Sequence, residues 1–138
     1  MAHGAYSYFE HGADIGVRGE GQTLEEAFSA AAAAVFAIMT DLARVRIERV
    51  VELHFEEDDQ ELALVVWLNL LLARAREQRM VFRDFRLQRN GPDWHGEAAG
   101  EPWRAGLTRG TEVKGATLTM LSCSQHGDRW EAACVVDV

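Results

Sequence analysis

The stretch TLEEAFSAAAAAVFAIM, Thr23–Met39, decides how the rest of the chain is read. Thr23 and Glu26 form a capping-box pattern. The Thr23 hydroxyl accepts from the Glu26 amide, and the Glu26 carboxylate reaches back to the Thr23 amide. Leu24, Ala27, Phe28, Ala31, Val35, Ile38 and Met39 then recur at helical spacing. The run Ala30–Ala34 favours helix and lets a neighbouring backbone approach closely. An amphipathic helix ending near Met39 follows.

Outward from this helix the periods change. Residues 6–18 read as strand, turn, strand, punctuated by Gly12 and Gly16. Beyond the helix, Val45, Ile47, Val51, Leu53 and Phe55 alternate with Arg46, Glu48, Glu52 and His54, the mark of a strand with one wet face. Asp58 and Glu61 stand at capping-box spacing before a second helix that runs to about Arg76. From Leu62 to Leu72 it is apolar on nearly every side, so it is either central to a core or covered by a partner. Alternation returns at 80–89, 93–100, 112–123 and 129–137, with turn signals at Gly91-Pro92-Asp93 and His126-Gly127-Asp128. The segment 101–111 reads as a mobile loop. This order predicts a single α+β domain over residues 1–138, with two helices packed on one face of a mixed sheet.

The bulk properties narrow the function. At 138 residues and 48% hydrophobic content, the chain can bury a core without disulfide or metal staples. A net charge of −8 opposes tight nucleic-acid binding and favours a basic partner or a bound cation. The clusters Arg44/Arg46/Arg49 and Arg83/Arg86/Arg89 read as solvated strand faces. Neither a leader pattern nor an apolar run long enough to span a membrane is present, and a cytoplasmic protein is expected. Cys123 and Cys134 fit no zinc spacing. Folding the chain at 125–128 sets Cys123 opposite about Trp130 and Cys134 opposite about Thr119, which predicts two free thiols.

Enzyme signatures are missing: the chain has no GxGxxG after a strand, no P-loop, no HExxH and no GxSxG. His126 lies near Ser122, Cys123 and Ser124, but as a turn residue. A metal-dependent hydrolase would need a water-activating base and a pocket, which the sequence does not display. The residues alone therefore make no positive case for an enzyme. The carboxylates carry the remaining signal. Asp14 sits in a turn, Asp41 lies just past the first helix at the negative end of its dipole, and Asp137 is the penultimate residue. If the three converge they repel, and a hard cation relieves the repulsion. Ca²⁺ or Mg²⁺ suits such oxygen ligands, with Mn²⁺ as a further choice, and the terminal carboxylate or carbonyl of Val138 could add another oxygen. On chemistry alone, solvated caps and turns are the commoner use of acids so placed.

A wider pattern resembles a known family. His11-x-Ala13-Asp14-Ile15-Gly16-Val17, Thr23–Phe28 and Phe36–Asp41 are similar to the N-terminal signature of the archeases. Glu57-Asp58 to Leu62, Trp67-Leu68-Asn69-x-Leu71-Leu72 and Val81–Phe85 follow in the family's order. Gly100-Glu101, Glu112–Thr117 and Val136–Val138 complete a resemblance that covers essentially the whole chain. It implies a mixed sheet with two helices on one side. It also implies a non-catalytic partner of RNA-splicing ligases of the RtcB type, which join RNA ends using GTP and a divalent metal. Such a partner promotes guanylylation of the ligase and its repeated turnover. The family's metal-binding acids map onto Asp14, Asp41 and Asp137.

The chain also departs from the family. Glu10-His11-Gly12 stands where Asp-His-Thr is usual, and Thr108 and Thr119 stand where histidines are common. Four further residues are candidates for partner contact or site support, each with a plainer use. His11 serves equally as a turn imidazole, Glu101 as a strand-end acid, and Lys114 as half of an ion pair. Trp103, alone among the tryptophans, lies in a Gly/Ala-containing loop and could anchor a partner. The apolar second helix and the 101–111 loop support an alternative: a chaperone-like module that modulates an RNA-processing enzyme without an essential metal.

Overall fold

The computed structural model describes residues 4–138. The hairpin β1 (Ala5–His11) and β2 (Asp14–Gly21) turns on Gly12, whose φ of +60° suits a residue without Cβ. Gly16 lies inside β2 rather than at a break, packed beneath the Phe9 ring. Helix α1 (Leu24–Met39) follows with both halves of the Thr23/Glu26 capping box in place. A short 3-10 turn, Leu42–Arg44, leads to β3 (Arg49–Glu56). Residues 45–48 alternate like a strand but stay outside it, because their backbone partners are irregular. The Arg46 amide donates to the Glu101 carboxylate at 2.6 Å, and the Glu48 amide to the Gly100 carbonyl at 2.9 Å.

Helix α2 (Gln60–Gln78) is capped by Asp59, whose Oδ1 accepts from the Glu61 and Leu62 amides, one residue later than the pattern Asp58–Glu61 predicts. Its apolar girth is explained by core burial. Leu64, Trp67, Leu68, Leu71 and Leu72 are all buried, and the helix touches strands of both sheets. Strands β4 (Met80–Asn90) and β5 (Asp93–Pro102) form a hairpin on Gly91. The single strand expected over 112–123 is interrupted. Only β6 (Gly115–Ala116) and β7 (Ser122–His126) pair, because Met120 takes a left-handed φ of 54° in a turn closed from the Leu121 amide to the Leu118 carbonyl. β8 (Arg129–Asp137) ends the chain.

The α+β class holds, but the strands form two antiparallel sheets in place of the expected mixed one. One has the order β1-β2-β8-β6, with β7 also on β8; the other is β3-β5-β4. Both helices contact both sheets rather than packing on one face of a single sheet. Antiparallel pairing follows from the hairpins β1–β2, β4–β5 and β7–β8, which need no crossover. At Gly19 the β2 backbone lies directly on Ala27 and Ala31, which is the close approach the alanine run permits. One buried cluster joins the two sheets, with Phe28 and Phe55 stacked parallel to Trp94 at ring distances of 5.2 and 5.6 Å. The indole N–H groups of Trp67 and Trp94 donate to the carbonyls of Phe28 and Glu57. No helix among the described residues is long and apolar enough to cross a membrane.

Candidate functional site

Pairing of β2 with β8 brings distant acids to one end of the first sheet. Ile15 faces Val136, so the next pair outward is Asp14 and Asp137. The Val138 amide donates to Asp14 Oδ1 at 3.3 Å, which joins the C-terminal residue to the β1–β2 turn. Asp41 is connected to that pair only through intervening chain. The Thr111 amide donates to the Ile38 carbonyl at the end of α1, and the Lys114 amide donates to the Asp137 carbonyl. Asp41 also caps the following turn, its Oδ1 accepting from the Ala43 amide at 3.1 Å. None of the three carboxylates forms an ion pair among the described residues. The oxygen-only donor set therefore suits a hard divalent cation. The side chains as placed do not gather three ligand atoms within 4.8 Å of one another; among the described residues only His54, Glu56 and Asp93 do so.

Segment 101–111, expected to be mobile, is instead pinned along its length. The Trp103 amide donates to the Arg79 carbonyl, the Gly110 amide to Met39, and the Thr40 hydroxyl to the Thr108 carbonyl. The Arg76 guanidinium donates to the carbonyls of Val113 and Lys114 at 2.8 and 2.7 Å. Asn69 takes both polar groups of Ala116: its Nδ2 donates to the carbonyl at 3.2 Å, and its Oδ1 accepts from the amide at 2.8 Å. Two side chains of α2 thus set the position of the strand that faces Asp137. No motif reading of the sequence singled out either one for this task, since their partners lie more than 35 residues away.

The remaining candidates divide. His11 is exposed at the end of β1, opposite Asp14 across the turn. Lys114 is exposed and makes no ion pair among the described residues. Glu101 is only 1% exposed and faces inward, so it holds structure instead of meeting a partner. The hydrogen bond from Arg104 Nε, at 2.7 Å, holds its carboxyl below the usual carboxylate range; burial opposes this and the Arg46 amide reinforces it. Trp103 lines a groove of about 720 Å³ with Met39 and Val113 on its floor and Arg76, Arg79 and Arg109 around it. The Arg109 guanidinium lies 4.1 Å from the Trp103 ring centroid. With Glu112 also lining the groove, three arginines against one glutamate make its lining net cationic on a chain of net charge −8.

The thiols offer no nucleophile. Cys123 pairs with Ala132, not Trp130, because the β7–β8 turn is the two-residue Gly127-Asp128. Cys134 lies opposite Val17. Both are free, and burial pushes each thiol up to about 12. The Ser124 hydroxyl lies 3.3 Å from His126 Nε2 in an exposed hairpin.

Comparison with known proteins finds relatives of the whole chain. The model of the archease protein family matches residues 6–138. An archease of Methanosarcina barkeri is 34% identical over 140 residues, covering 96% of this chain and 95% of that protein. An archease of Sulfurisphaera tokodaii is 33% identical over 136 residues, covering 96% and 98%. The solution structure of Methanobacterium thermoautotrophicum protein 1598 superposes with a TM-score of 0.86 at 28% identity, covering 97% of this chain and 99% of that one. The crystal structure of a Thermotoga maritima archease, described as a "possible chaperone", shares the fold with a TM-score of 0.65 at 19% identity and 94% coverage of each chain.

Proposed function

This chain belongs to the archease protein family, and from that premise we propose that it is a metal-binding accessory protein of an RtcB-type RNA ligase, promoting the ligase's guanylylation and multiple turnover. The observation that supports the reading is the joining of Asp14 to the C-terminal residue beside Asp137, with no ion pair on Asp14, Asp41 or Asp137 among the described residues. Asp14, Asp41, Asp137 and an oxygen of Val138 would hold the ion. A bound Ca²⁺, Mg²⁺ or Mn²⁺ would supply positive charge for phosphate oxygens. The protein's own part is placement. Asn69 and Arg76 fix β6 against β8, and the hydrogen bond from Val138 fixes the turn that carries Asp14.

The test is multiple-turnover RNA ligation with the ligase of the same organism. Wild type is expected to stimulate, and Asp14→Asn and Asp137→Asn to lose at least tenfold of the stimulation. No stimulation by wild type sinks the ligase role, whereas full stimulation by both variants sinks the metal role alone. A second reading, a chaperone-like module without an essential metal, draws on the Trp103 groove with its arginine rim. Complex formation and stimulation that both survive chelator, but fall with Trp103→Ala, would favour it.

A further inference from the structure

The outer face of the three-stranded sheet, a different sheet from the one that carries Asp14 and Asp137, bears a block of four ligand-type side chains. Across the β3–β5 ladder His54 faces His95, and Glu56 faces Asp93. Within each strand the two residues are two apart, so all four project to the same solvent-facing side. The imidazole rings of His54 and His95 have centroids 4.5 Å apart. His54 Nε2 is 3.7 Å from Asp93 Oδ1, and one ligand atom each from His54, Glu56 and Asp93 lies within 4.8 Å of the others.

We propose that this block binds a borderline divalent cation of the zinc class, through His54, Asp93 and Glu56 with His95 as fourth ligand. Two imidazoles and two carboxylates favour Zn²⁺ over Ca²⁺ or Mg²⁺, which take oxygen ligands. Metal–ligand distances near 2.1 Å put neighbouring tetrahedral ligands about 3.4 Å apart. The His54–Asp93 separation is already close to that value. Glu56 and His95 are exposed, and side-chain rotation would bring each toward the ion; His95 stands beside His54 but outside the trio whose ligand atoms already lie within 4.8 Å. Paired strands supply the rigid base, because the register that aligns the histidines is fixed by buried Val51, Leu53, Phe55, Trp94 and Ala98 on the opposite face. The histidine pair also lines a cleft of about 470 Å³ that Arg74, Arg86 and Glu97 share, so the ion would be reachable from solvent. This site is independent of the Asp14 acids and prefers a softer ion.

Isothermal titration of the full chain with Zn²⁺, and separately with Mg²⁺, tests it. Wild type is expected to bind one Zn²⁺ at this block, with His54→Gln and Asp93→Asn each weakening it at least tenfold and Asp137→Asn leaving it unchanged. In ¹H–¹⁵N spectra of wild-type protein, Zn²⁺ is expected to shift the imidazole signals of His54 and His95, a measurement that needs no variant to fold. Absence of zinc binding by wild type overturns the proposal. So does a zinc signal that survives His54→Gln, or one that disappears with Asp137→Asn.

Discussion

Asn69→Ala tests the view that α2 sets the geometry of the acidic end. The substitution removes two hydrogen bonds, of 3.2 and 2.8 Å, from the carbonyl and amide of Ala116. Both are partly shielded from water, and a typical net contribution of 0.5–1.5 kcal/mol each gives a loss of about 2 kcal/mol. At roughly 4 °C per kcal/mol for a chain of this size, Tm falls by about 8 °C. The loss has a location as well as a size. β6 has only two residues, and its pairs are Gly115–Asp137 and Ala116–Val136. Freed from Asn69, amides 114–117 should exchange with deuterium faster, while those of β3 and β5 keep their protection. Calorimetry and hydrogen exchange measure the two effects. A fall in Tm below about 2 °C, with exchange at 114–117 unchanged, would refute the reasoning. Asn69→Asp is a useful companion. It keeps the acceptor for the Ala116 amide but replaces the donor with an oxygen facing a carbonyl, and it should destabilise at least as much.

Other expectations follow from separate parts of the fold. Gly19→Ala drives a Cβ into the backbone of Ala27 and Ala31, and should cost about 3 kcal/mol in chemical denaturation. Glu101, whose folded carboxyl titrates below its unfolded value, stabilises the protein above about pH 4.5 and loses that contribution as pH falls through the folded value; Glu101→Gln should flatten the acid limb of a urea-midpoint profile against pH. Cys123 and Cys134, with thiols pushed up to about 12, should resist alkylation at pH 8 in native protein and react fully in denaturant. Trp103→Ala should leave Tm within about 3 °C of wild type, since the ring is only half-buried at the groove, and a larger fall would show that it is a core residue.

What the sequence could determine was local. The Thr23/Glu26 box, the acidic start of the second helix (read at Asp58, found at Asp59), the turn glycines Gly12, Gly91 and Gly127 and the two hydrophobic periods are all written within a few residues of where they act. That is enough for two helices, the hairpins and the α+β class, and the ordered family pattern adds Asp14, Asp41 and Asp137 as candidates. Period and cap say nothing about which strand lies beside which. Two sheets instead of one, the contact of both helices with each, and the pairing of Ile15 with Val136 depend on contacts across most of the chain. So does everything that those contacts place. A strand-end glutamate became buried beside Arg104, a loop became pinned by hydrogen bonds to Arg79, Met39 and Thr40, and two ordinary wet-face dipeptide spacings, His54/Glu56 and Asp93/His95, became one four-cornered block. Alternation fixes which face a side chain takes. Only the register, set by how the opposite faces pack, fixes what it meets there.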